Sequence, residues 1–547
     1  MGIWPSLFVK VPPIKLAVIC MILFWGFVAL WNQGTVTKEL RSKYKSLSPK
    51  PVPKSQKPIL SETQLANFHS HTSTGSSNLT FVHRLLDLPH RFDYQCRVIQ
   101  TQQVSHLARS RMQNVDGRMF QEPTKIQGVE AEFAALPNCP SSEITVPEFE
   151  RNTDVDTSSL LFGAATSLDR INASAAHWAR WLQGTDAGAI VIVHWDPEID
   201  KEIRTVEEYR ASQKWKEVEE NLEKHGLNVT LIPYMGFGED SHAYDDPDTK
   251  RHLSIAQAMY EMKQPQHQWF VIIDDDTFFV SIPGLLDALA PYDPRKPHFI
   301  GQLSESRLHN KYATYMAYGG AGVFLTEPIL QRINDHYENC INRIRDDETD
   351  DREPGGDMLL KFCVEEYDGT TDVELELLPG LHQLDIKGDP WGFYESGPTD
   401  LLTLHHYNSE AWGVFPVLGA SYVSDICGDC FLQRYRFNDH TVLTAGASIV
   451  RYLNGMDYID FNRMERTFPV SDEDEFHDSF GPLRKPLAEG IAKRSWRFET
   501  AVRSSDGFVR QFYVSRANYA EGIAGHVDSV YELVFKDQDQ DMSLAYE

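Results

Sequence analysis

Three consecutive aspartates, Asp274, Asp275 and Asp276, follow an apolar segment and could bind a divalent cation. The stretch that holds them reads QWFVIIDDDTFFV and spans residues 268–280. Adjacent carboxylates repel one another and burial increases that cost, so a cation is the usual source of compensation. An Asp-X-Asp at the end of a strand can hold Mn²⁺ or Mg²⁺ between its oxygens and a diphosphate. The alternative is a solvated acidic turn, but apolar residues resume at once and turn residues are absent.

A second alternative is a phosphatase of the haloacid dehalogenase type, which also begins with Asp-X-Asp after an apolar strand. Such an enzyme would carry a threonine two residues after the second aspartate, where this chain has Phe278. A metal phosphohydrolase therefore remains as a minor hypothesis.

The elements that must position these aspartates alternate between strands and helices. The predicted strands read SLLFGAATS, AIVIVHW, NVTLIPY and WFVII, and the predicted helices between them read INASAAHWARWLQG, EEYRASQKWKEVEENLEKHG and KRHLSIAQAMYEMK. This alternation predicts an α/β fold with a mainly parallel sheet and helices on both faces. Ligands of such sheets bind beyond the carboxyl ends of the strands, which is where the aspartates lie.

Composition bounds the partners of the chain. Its 547 residues indicate two or more domains with linkers. A formal net charge of −27 disfavours sequence-independent binding to a nucleic-acid backbone, so we expect no nucleic acid partner. A phosphorylated small molecule can still bind where a metal or local Lys and Arg residues supply positive charge.

Cysteines and sequons favour an oxidising, glycosylating compartment. Cys20 lies in an N-terminal apolar run, and the other cysteines are even in number: Cys96, Cys139, Cys340, Cys363, Cys427 and Cys430. Asn-X-Ser/Thr sequons occur at Asn78, Asn172 and Asn228. Together these features are typical of secretory proteins. The CGDC stretch could be a redox or zinc pair, but no second such pair exists, which favours a disulfide.

The N-terminal region predicts a membrane anchor followed by a stalk. Residues 16–31 are uncharged and apolar, and no small-residue cleavage site follows them, which favours a retained transmembrane helix over a signal peptide. Lysines and arginines follow this segment, and the positive-inside rule alone would place the C-terminal side in the cytoplasm. The sequons and cysteines favour a lumenal C-terminal side, and we follow them. The proline- and lysine-rich stretch 46–58 predicts an extended stalk.

Four blocks carry a resemblance to a known family. VIIDDDTFF, YGGAGVFLT, PGGDMLLKFC and LTLHHY occur in this order between residues 155 and 410. With them the chain resembles the Fringe-like branch of glycosyltransferase family 31. The resemblance implies a GT-A fold, a UDP-sugar donor, Mn²⁺ (or Mg²⁺), and inverting transfer that forms a β1,3 linkage to a glycan or glycoprotein. It also implies a single-pass type II protein of the Golgi or endoplasmic reticulum membrane with a lumenal catalytic domain.

The resemblance assigns roles to individual residues. Asp276 matches the metal ligand, with Asp274 and Asp275 near the nucleotide. Asp357 matches the catalytic base, although an aspartate at that position could simply cap a helix. By this match His405 is the supplementary metal ligand and His406 the fallback. Neighbouring strand residues point to opposite faces, so we expect only one of the two to reach the metal.

Four further residues are candidates for donor binding. Gly319 and Gly320 match a glycine-rich loop beside the donor sugar, but a tight turn explains them equally well. Thr166 and Arg170 could contact the nucleotide, and helix-start or surface roles compete evenly with that interpretation. Cys363 matches a family half-cystine, with Cys340 as its nearest plausible partner.

These observations predict the following domain organisation. Residues 1–15 form a cytoplasmic tail, 16–31 the transmembrane anchor, 32–150 a partly disordered stem, 151–424 the GT-A catalytic domain, and 425–547 a β-rich extension. Cys96 and Cys139 could staple a small folded part of the stem. The alternative function is a non-catalytic glycan-binding or scaffold protein of the secretory pathway, which would not need a complete donor site.

Overall fold

The computed structural model describes most of the chain after residue 78. The described ranges are 79–127, 139–195, 203, 205–235, 247–306, 309–310, 315–343, 355–365, 373–386, 389–409, 413–465, 483–484, 493–503, 507–517 and 527–537. They all belong to one compact unit of the chain. The predicted anchor at residues 16–31 lies outside them. Within the described ranges, helices are too short or too polar to cross a bilayer.

The described strands and helices alternate through the middle of the chain and give way to strands near both of its ends. The strands are β1 (Arg91–Val104), β2 (Gln113–Val115), β3 (Thr124–Gln127), β4 (Ser141–Pro147), β5 (Leu160–Thr166), β6 (Gly188–Trp195), β7 (Val229–Met235), β8 (Trp269–Ile272), β9 (Phe278–Phe279), β10 (Phe299–Gly301), β11 (Val323–Thr326), β12 (Leu375–Leu377), β13 (Thr403–Leu404), β14 (Asn408–Ser409), β15 (Gly413–Val414), β16 (Arg434–Phe437), β17 (Thr441–Thr444), β18 (Ser448–Tyr452), β19 (Met464–Glu465), β20 (Leu483–Arg484), β21 (Lys493–Arg503), β22 (Val509–Ser515) and β23 (Ser529–Asp537). The helices are α1 (Leu79–Leu86), α2 (Leu168–Leu182), α3 (Val206–Ala211), α4 (Gln213–Lys224), α5 (Pro247–Met262), α6 (Ile282–Leu289), α7 (Glu327–Asp335), α8 (Tyr337–Arg343), α9 (Gly356–Glu365), α10 (Trp391–Glu395), α11 (Val417–Ser421) and α12 (Ser424–Cys427).

A seven-stranded sheet forms the centre of the unit, in the order β12-β10-β11-β8-β5-β6-β7. Strands β5 to β8 pair in parallel, as do β10 and β12, whereas β11 runs antiparallel to both of its neighbours. The helices that connect β5 to β8 are the crossover connections that parallel strands require. The predicted α/β class, with a mainly parallel Rossmann-like sheet, is confirmed.

Helices cover both faces of this sheet. Leu160 and Phe162 of β5 belong to an apolar cluster that includes Trp178 of α2. Leu161, between them in the sequence, belongs to a second cluster that includes Met259 of α5. Successive strand residues point to opposite faces, so the two clusters are the two sides of the sheet. Both sides being buried explains why β5 reads as a continuous apolar run.

A short strand pair connects the acidic segment to the histidine segment. Thr403 pairs with Phe279 and Leu404 pairs with Phe278 in an antiparallel register between β9 and β13. Because β9 follows the aspartates directly and His405 follows β13, this pairing brings two segments that are distant in the sequence to one place.

The second large sheet differs from the domain organisation expected from the sequence. It has ten strands, with β2, β16 to β18, β21 to β23, β1 and β3 in that order and β4 paired with β1. Its strands come from residues 91–147, expected in the stem, and from residues 434–537, expected to form a separate extension. β1 pairs in parallel with β23 over nine residues, and this pairing satisfies backbone N–H and C=O groups of β1.

All six cysteines outside the N-terminal apolar run form disulfides. The pairs are Cys96–Cys139, Cys340–Cys363 and Cys427–Cys430. Cys427 and Cys430 are fully buried beside α12, so the structure favours the disulfide interpretation of CGDC over a metal or redox site. The Cys340–Cys363 disulfide joins α8 to α9 and restrains the helix that begins next to Asp357.

Candidate metal and donor site

The three aspartates form a tight turn directly after β8. The backbone N–H of Thr277 donates to the Asp274 carbonyl at 3.1 Å, and the Thr277 hydroxyl accepts from the Asp274 N–H at 3.1 Å. The Trp178 indole N–H of α2 donates to the Asp275 carbonyl at 3.0 Å. The segment is therefore a turn, as the alternative interpretation required, but it is held by buried groups and not by solvent.

Asp274 and Asp276 share one imidazole, that of His405. The Nε2 atom of His405 lies 3.0 Å from Asp276 Oδ1 and 3.4 Å from Asp274 Oδ2. One ligand atom from each of the three residues lies within 4.8 Å of the other two, a spacing that a single metal ion can bridge. The Nδ1 atom of His405 lies 3.1 Å from the Gln383 carbonyl. An N–H donated to that carbonyl would leave Nε2 as the lone-pair atom that faces the acids.

The electrostatics of this cluster favour a bound cation. Burial is the largest influence on the pKa of Asp274 and would raise it, but Arg251 at 3.4 Å and His405 outweigh burial and hold that pKa well below its usual range. Burial likewise raises and His405 lowers the pKa of Asp276, and the net shift is downward. Burial would lower the pKa of His405, yet the two carboxylates raise it well above its ordinary value. A dication would satisfy the same carboxylates in place of that proton.

The two adjacent histidines have separate partners. Nδ1 of His406 lies 3.2 Å from Asp385 Oδ1, whereas His405 faces the acidic turn. His406 has a positive φ of 50°, which turns its ring away from the direction a continued strand would give it. Asp385 also accepts from the Ser304 hydroxyl and lies 2.9 Å from His309 Nδ1. The geometry thus places His405, and not His406, among the candidate ligands.

Asp275, Thr166 and Arg170 form a group of their own. The Thr166 hydroxyl donates to Asp275 Oδ2, Arg170 Nε donates to the same oxygen at 2.6 Å, and its terminal nitrogen donates to Oδ1. Both oxygens of Asp275 are therefore engaged, and its side chain is buried. Ser167 caps α2 by accepting from the Arg170 N–H, which fixes the start of the helix. The Arg170 side chain is 64% exposed, so it is open to solvent beside the acidic turn while it pairs with Asp275.

Gly319 and Gly320 lie in a single 3₁₀ turn that packs against the site. A β-carbon on Gly320 would lie 2.2 Å from His405 Cε1, and one on Gly319 would lie 2.5 Å from His252 Nε2. The Gly320 carbonyl accepts from the Thr277 hydroxyl at 2.9 Å. The two glycines therefore allow close packing against His405 and His252, and their proposed contact with a donor sugar stays a prediction.

Substitution of Gly320 by alanine is expected to weaken Mn²⁺ binding by about 10- to 100-fold, the usual cost of disturbing a residue that orients a ligand. The added methyl group would displace the His405 ring. Mn²⁺ titration followed by electron paramagnetic resonance measures this effect. Gly355→Ala is the matched control, because nothing lies within 4 Å of a β-carbon there. Equal Mn²⁺ affinities in the two variants would contradict the placement of His405 at the metal.

Asp357 lies at the start of α9 and faces the same region. The Gly319 N–H donates to Asp357 Oδ1 at 2.7 Å. His252 Nδ1 lies 3.3 Å from the same oxygen. Burial raises the pKa of Asp357, against the opposing effects of His252 and Arg251. Among the described residues both close contacts fall on Oδ1, which leaves Oδ2 for a proton.

His252 is a site residue that the sequence analysis missed. Its ring is fully buried on α5, with Nδ1 toward Asp357 and Nε2 4.0 Å from Asp274 Oδ1. Burial, the largest influence, lowers its pKa. The ring therefore separates the candidate base from the acidic turn. The sequence signal was weak, since a histidine within an apolar helix pattern usually indicates an ordinary core position.

The chain was compared with known protein families, curated sequences and solved structures. A family described as "Protein of unknown function, DUF604" matches residues 309–423. No curated protein sequence matches the chain. Mouse xyloside xylosyltransferase 1 is similar in structure with 10% identity and a TM-score of 0.25, covering 41% of this chain and 85% of that one. The galactosyltransferase LgtC, solved with donor and acceptor sugar analogues, has 14% identity and a TM-score of 0.27, covering 46% and 91%.

A third similar structure was solved with a nucleotide sugar bound. Mannosyltransferase PcManGT from Pyrobaculum calidifontis, in complex with GDP-Man and Mn²⁺, has 12% identity and a TM-score of 0.21, covering 36% of this chain and 56% of that one.

Proposed function

We propose that this protein is a metal-dependent glycosyltransferase of the GT-A type. It would transfer a hexose or N-acetylhexosamine from a UDP-sugar to a glycan or glycoprotein, with inversion and a β1,3 linkage. The observation that carries this proposal is the convergence of Asp274, Asp276 and His405 on one point, with their ligand atoms within 4.8 Å. The acids lie beyond the carboxyl end of β8, where ligands of parallel sheets bind.

The three candidate ligands, two carboxylates and one imidazole, fit Mn²⁺ or Mg²⁺. Carboxylate oxygens suit both ions, and an imidazole ligand suits Mn²⁺ in particular. Such an ion neutralises a diphosphate and stabilises the departing nucleotide. In a chain with a net charge of −27, an anionic donor also needs local positive groups. Arg251, which pairs with Asp274, and Arg170, which pairs with Asp275, are cations beside the acidic turn, and each would share its charge between its aspartate and a bound diphosphate.

Asp357 is the proposed general base. Inverting transfer requires a carboxylate that accepts the acceptor hydroxyl proton as that oxygen attacks the sugar. The Gly319 N–H holds Oδ1 at 2.7 Å, so the carboxylate orientation is fixed before a substrate arrives. Its raised pKa makes it a stronger base than an exposed aspartate. The helix start at Gly356 explains the rigidity of its backbone, so the capping and catalytic interpretations are compatible.

A donor screen tests the proposal directly. The purified protein is incubated with UDP-Gal, UDP-GlcNAc, UDP-Glc and UDP-GalNAc in the presence of Mn²⁺, and UDP release is measured. We expect release from one of these donors and its loss on addition of EDTA. Glycan binding without turnover of any donor would favour the non-catalytic alternative, and release of phosphate from simple esters would favour a phosphohydrolase.

The proposal includes a lumenal location in the Golgi or endoplasmic reticulum with an N-terminal anchor, and sequon exposure offers a test. Asn228 and Asn172 are both exposed, but Asn228 lies in the loop before β7, whereas Asn172 lies within α2 and its side chain accepts from Asn221 Nδ2 at 2.8 Å. We expect Asn228→Gln to reduce the shift in electrophoretic mobility produced by peptide N-glycosidase in secretory cells. Asn172→Gln is the control and should leave that shift intact. An unchanged shift in Asn228→Gln would contradict glycosylation at this loop.

A further inference from the structure

A cavity of about 420 Å³ lies beside the segment that holds the proposed base. Its walls include Leu303 and Tyr315, which flank a stretch between β10 and the 3₁₀ turn, and Lys361 and Glu365 of α9. Leu377 at the end of β12 completes one side. β12 is an edge strand of the seven-stranded sheet, so the cavity opens at the sheet margin.

The same two segments form the cavity wall and position Asp357. Asp357, Lys361 and Glu365 are spaced four residues apart, so they follow one side of α9. The Lys361 ammonium lies 2.6 Å from Glu365 Oε2, which shows that these side chains meet. Asp357 itself does not line the cavity: Lys361 and Glu365 lie about 6 Å and about 12 Å from it along the helix axis, given the 1.5 Å rise per helical residue.

The second wall is tied to Asp357 through the backbone. The Tyr318 N–H donates to the Gln302 carbonyl at 3.1 Å, and the next residue, Gly319, donates to Asp357. The lining residue Leu303 is next to Gln302 in the sequence, and the lining residue Tyr315 lies three residues before Tyr318. A molecule that reaches Asp357 from this side would contact both walls.

The lining combines an exposed aromatic ring with carboxylates. Tyr315 is 64% exposed and Leu377 is 49% exposed, the largest fractions among the apolar side chains of this cavity. Glu374 and Glu365 contribute two carboxylates, and Lys361 contributes one ammonium that Glu365 already pairs. An aromatic face packs against the C–H face of a pyranose, and carboxylates accept hydrogen bonds from hydroxyls.

We infer that this cavity is the acceptor subsite and that it takes a neutral saccharide. The inference rests on the proposed function. Among the described lining residues, Glu365 is paired with Lys361 and Glu374 is an exposed carboxylate, so the lining carries a net negative charge that disfavours sulfated, sialylated or uronic-acid sugars, because like charges repel. Tyr315 provides the stacking surface, Glu374 accepts from a hydroxyl, and the saccharide end nearest the start of α9 presents its hydroxyl to Asp357.

Saturation-transfer difference NMR on the purified chain tests the subsite without donor or metal. The probes are the methyl β-glycosides of galactose, glucose, N-acetylglucosamine and N-acetylgalactosamine, and methyl β-glucuronide as the anionic comparison. We expect a neutral glycoside to bind more tightly than the glucuronide, and Tyr315→Ala to weaken that binding about tenfold, since a stacked ring contributes about 1 kcal/mol or more. Tyr458→Ala, at an exposed tyrosine of the ten-stranded sheet region, is the control and should bind normally.

A charge-reversal variant tests the expected preference for neutral saccharides. Glu374→Lys is expected to improve glucuronide binding relative to the neutral glycosides. Preference of the wild type for the glucuronide, equal affinities in Tyr315→Ala and wild type, or binding of none of the glycosides would each overturn the inference. The donor screen is independent of these measurements, so UDP-sugar turnover without glycoside binding would refute the subsite alone.

Discussion

Asp276→Ala should lower Mn²⁺-dependent turnover of the UDP-sugar by about 1,000-fold or more. A catalytic metal stabilises developing charge by several kcal/mol, and about 4 kcal/mol corresponds to three decades in rate. Asp276 supplies one of three candidate ligands and contacts His405 at 3.0 Å. Removal of its carboxylate deletes a ligand and leaves the imidazole with Asp274 alone at 3.4 Å.

If Asp276 is a metal ligand, Asp276→Ala must lower Mn²⁺ affinity and activity together. Mn²⁺ affinity is measured by electron paramagnetic resonance and UDP release by a coupled assay, on the same preparations. Asp457→Ala is the matched control, because that aspartate is fully exposed in a turn after β18 and lies 4.0 Å from Arg436. Wild-type Mn²⁺ affinity in Asp276→Ala would remove the basis for the proposed enzyme.

Asp357→Asn should lower kcat by about 10²- to 10⁴-fold while Mn²⁺ binding stays close to that of the wild type. Loss of a general base has this typical cost. The asparagine carbonyl can still accept from the Gly319 N–H, so the local structure should persist. Burial raises the pKa of Asp357. Wild-type activity should therefore fall, as pH decreases, at a pH above the ordinary aspartate pKa of about 3.9.

The pH profile separates a base from a structural residue. At Mn²⁺ concentrations that saturate the site of His405, the residual activity of Asp357→Asn should lack the acidic limb, because the remaining group that titrates, Asp357, is gone. Asp335→Asn is a suitable control, since Asp335 lies on the neighbouring helix α7 and accepts from Gln331 at 2.9 Å. Full activity in Asp357→Asn, or an unchanged acidic limb, would place the base elsewhere.

Much of the central fold was predictable because its elements are local. Each of β5 to β8 is a continuous apolar run, and each intervening helix has its own amphipathic pattern, so type and order follow from short windows. The ten-stranded sheet was not predictable in the same way. Alternation along β1 indicates a strand with one buried side, but it contains no information about a partner near the opposite end of the chain.

The candidate site likewise has parts that the sequence predicts and parts that depend on tertiary packing. The acidic turn and His405 were predicted from residue type and block order, and the structure brings them together through the β9–β13 pair. The saturation of Asp275 by Thr166 and Arg170 was not predicted, since it depends on where α2 starts relative to β8. His252 was missed because only tertiary packing distinguishes a histidine between two carboxylates from one in an apolar core. The assigned catalytic and donor roles stay predictions.

The parallel pair of β1 and β23 has a consequence for biogenesis. Tyr94 of β1 hydrogen-bonds Glu532 of β23, 438 positions away along the polypeptide. During synthesis β1 emerges more than 400 residues before β23 and must wait for it with its apolar side uncovered. We expect the nascent protein to depend on chaperones for that interval, and truncations of even a few dozen C-terminal residues to leave it aggregation-prone.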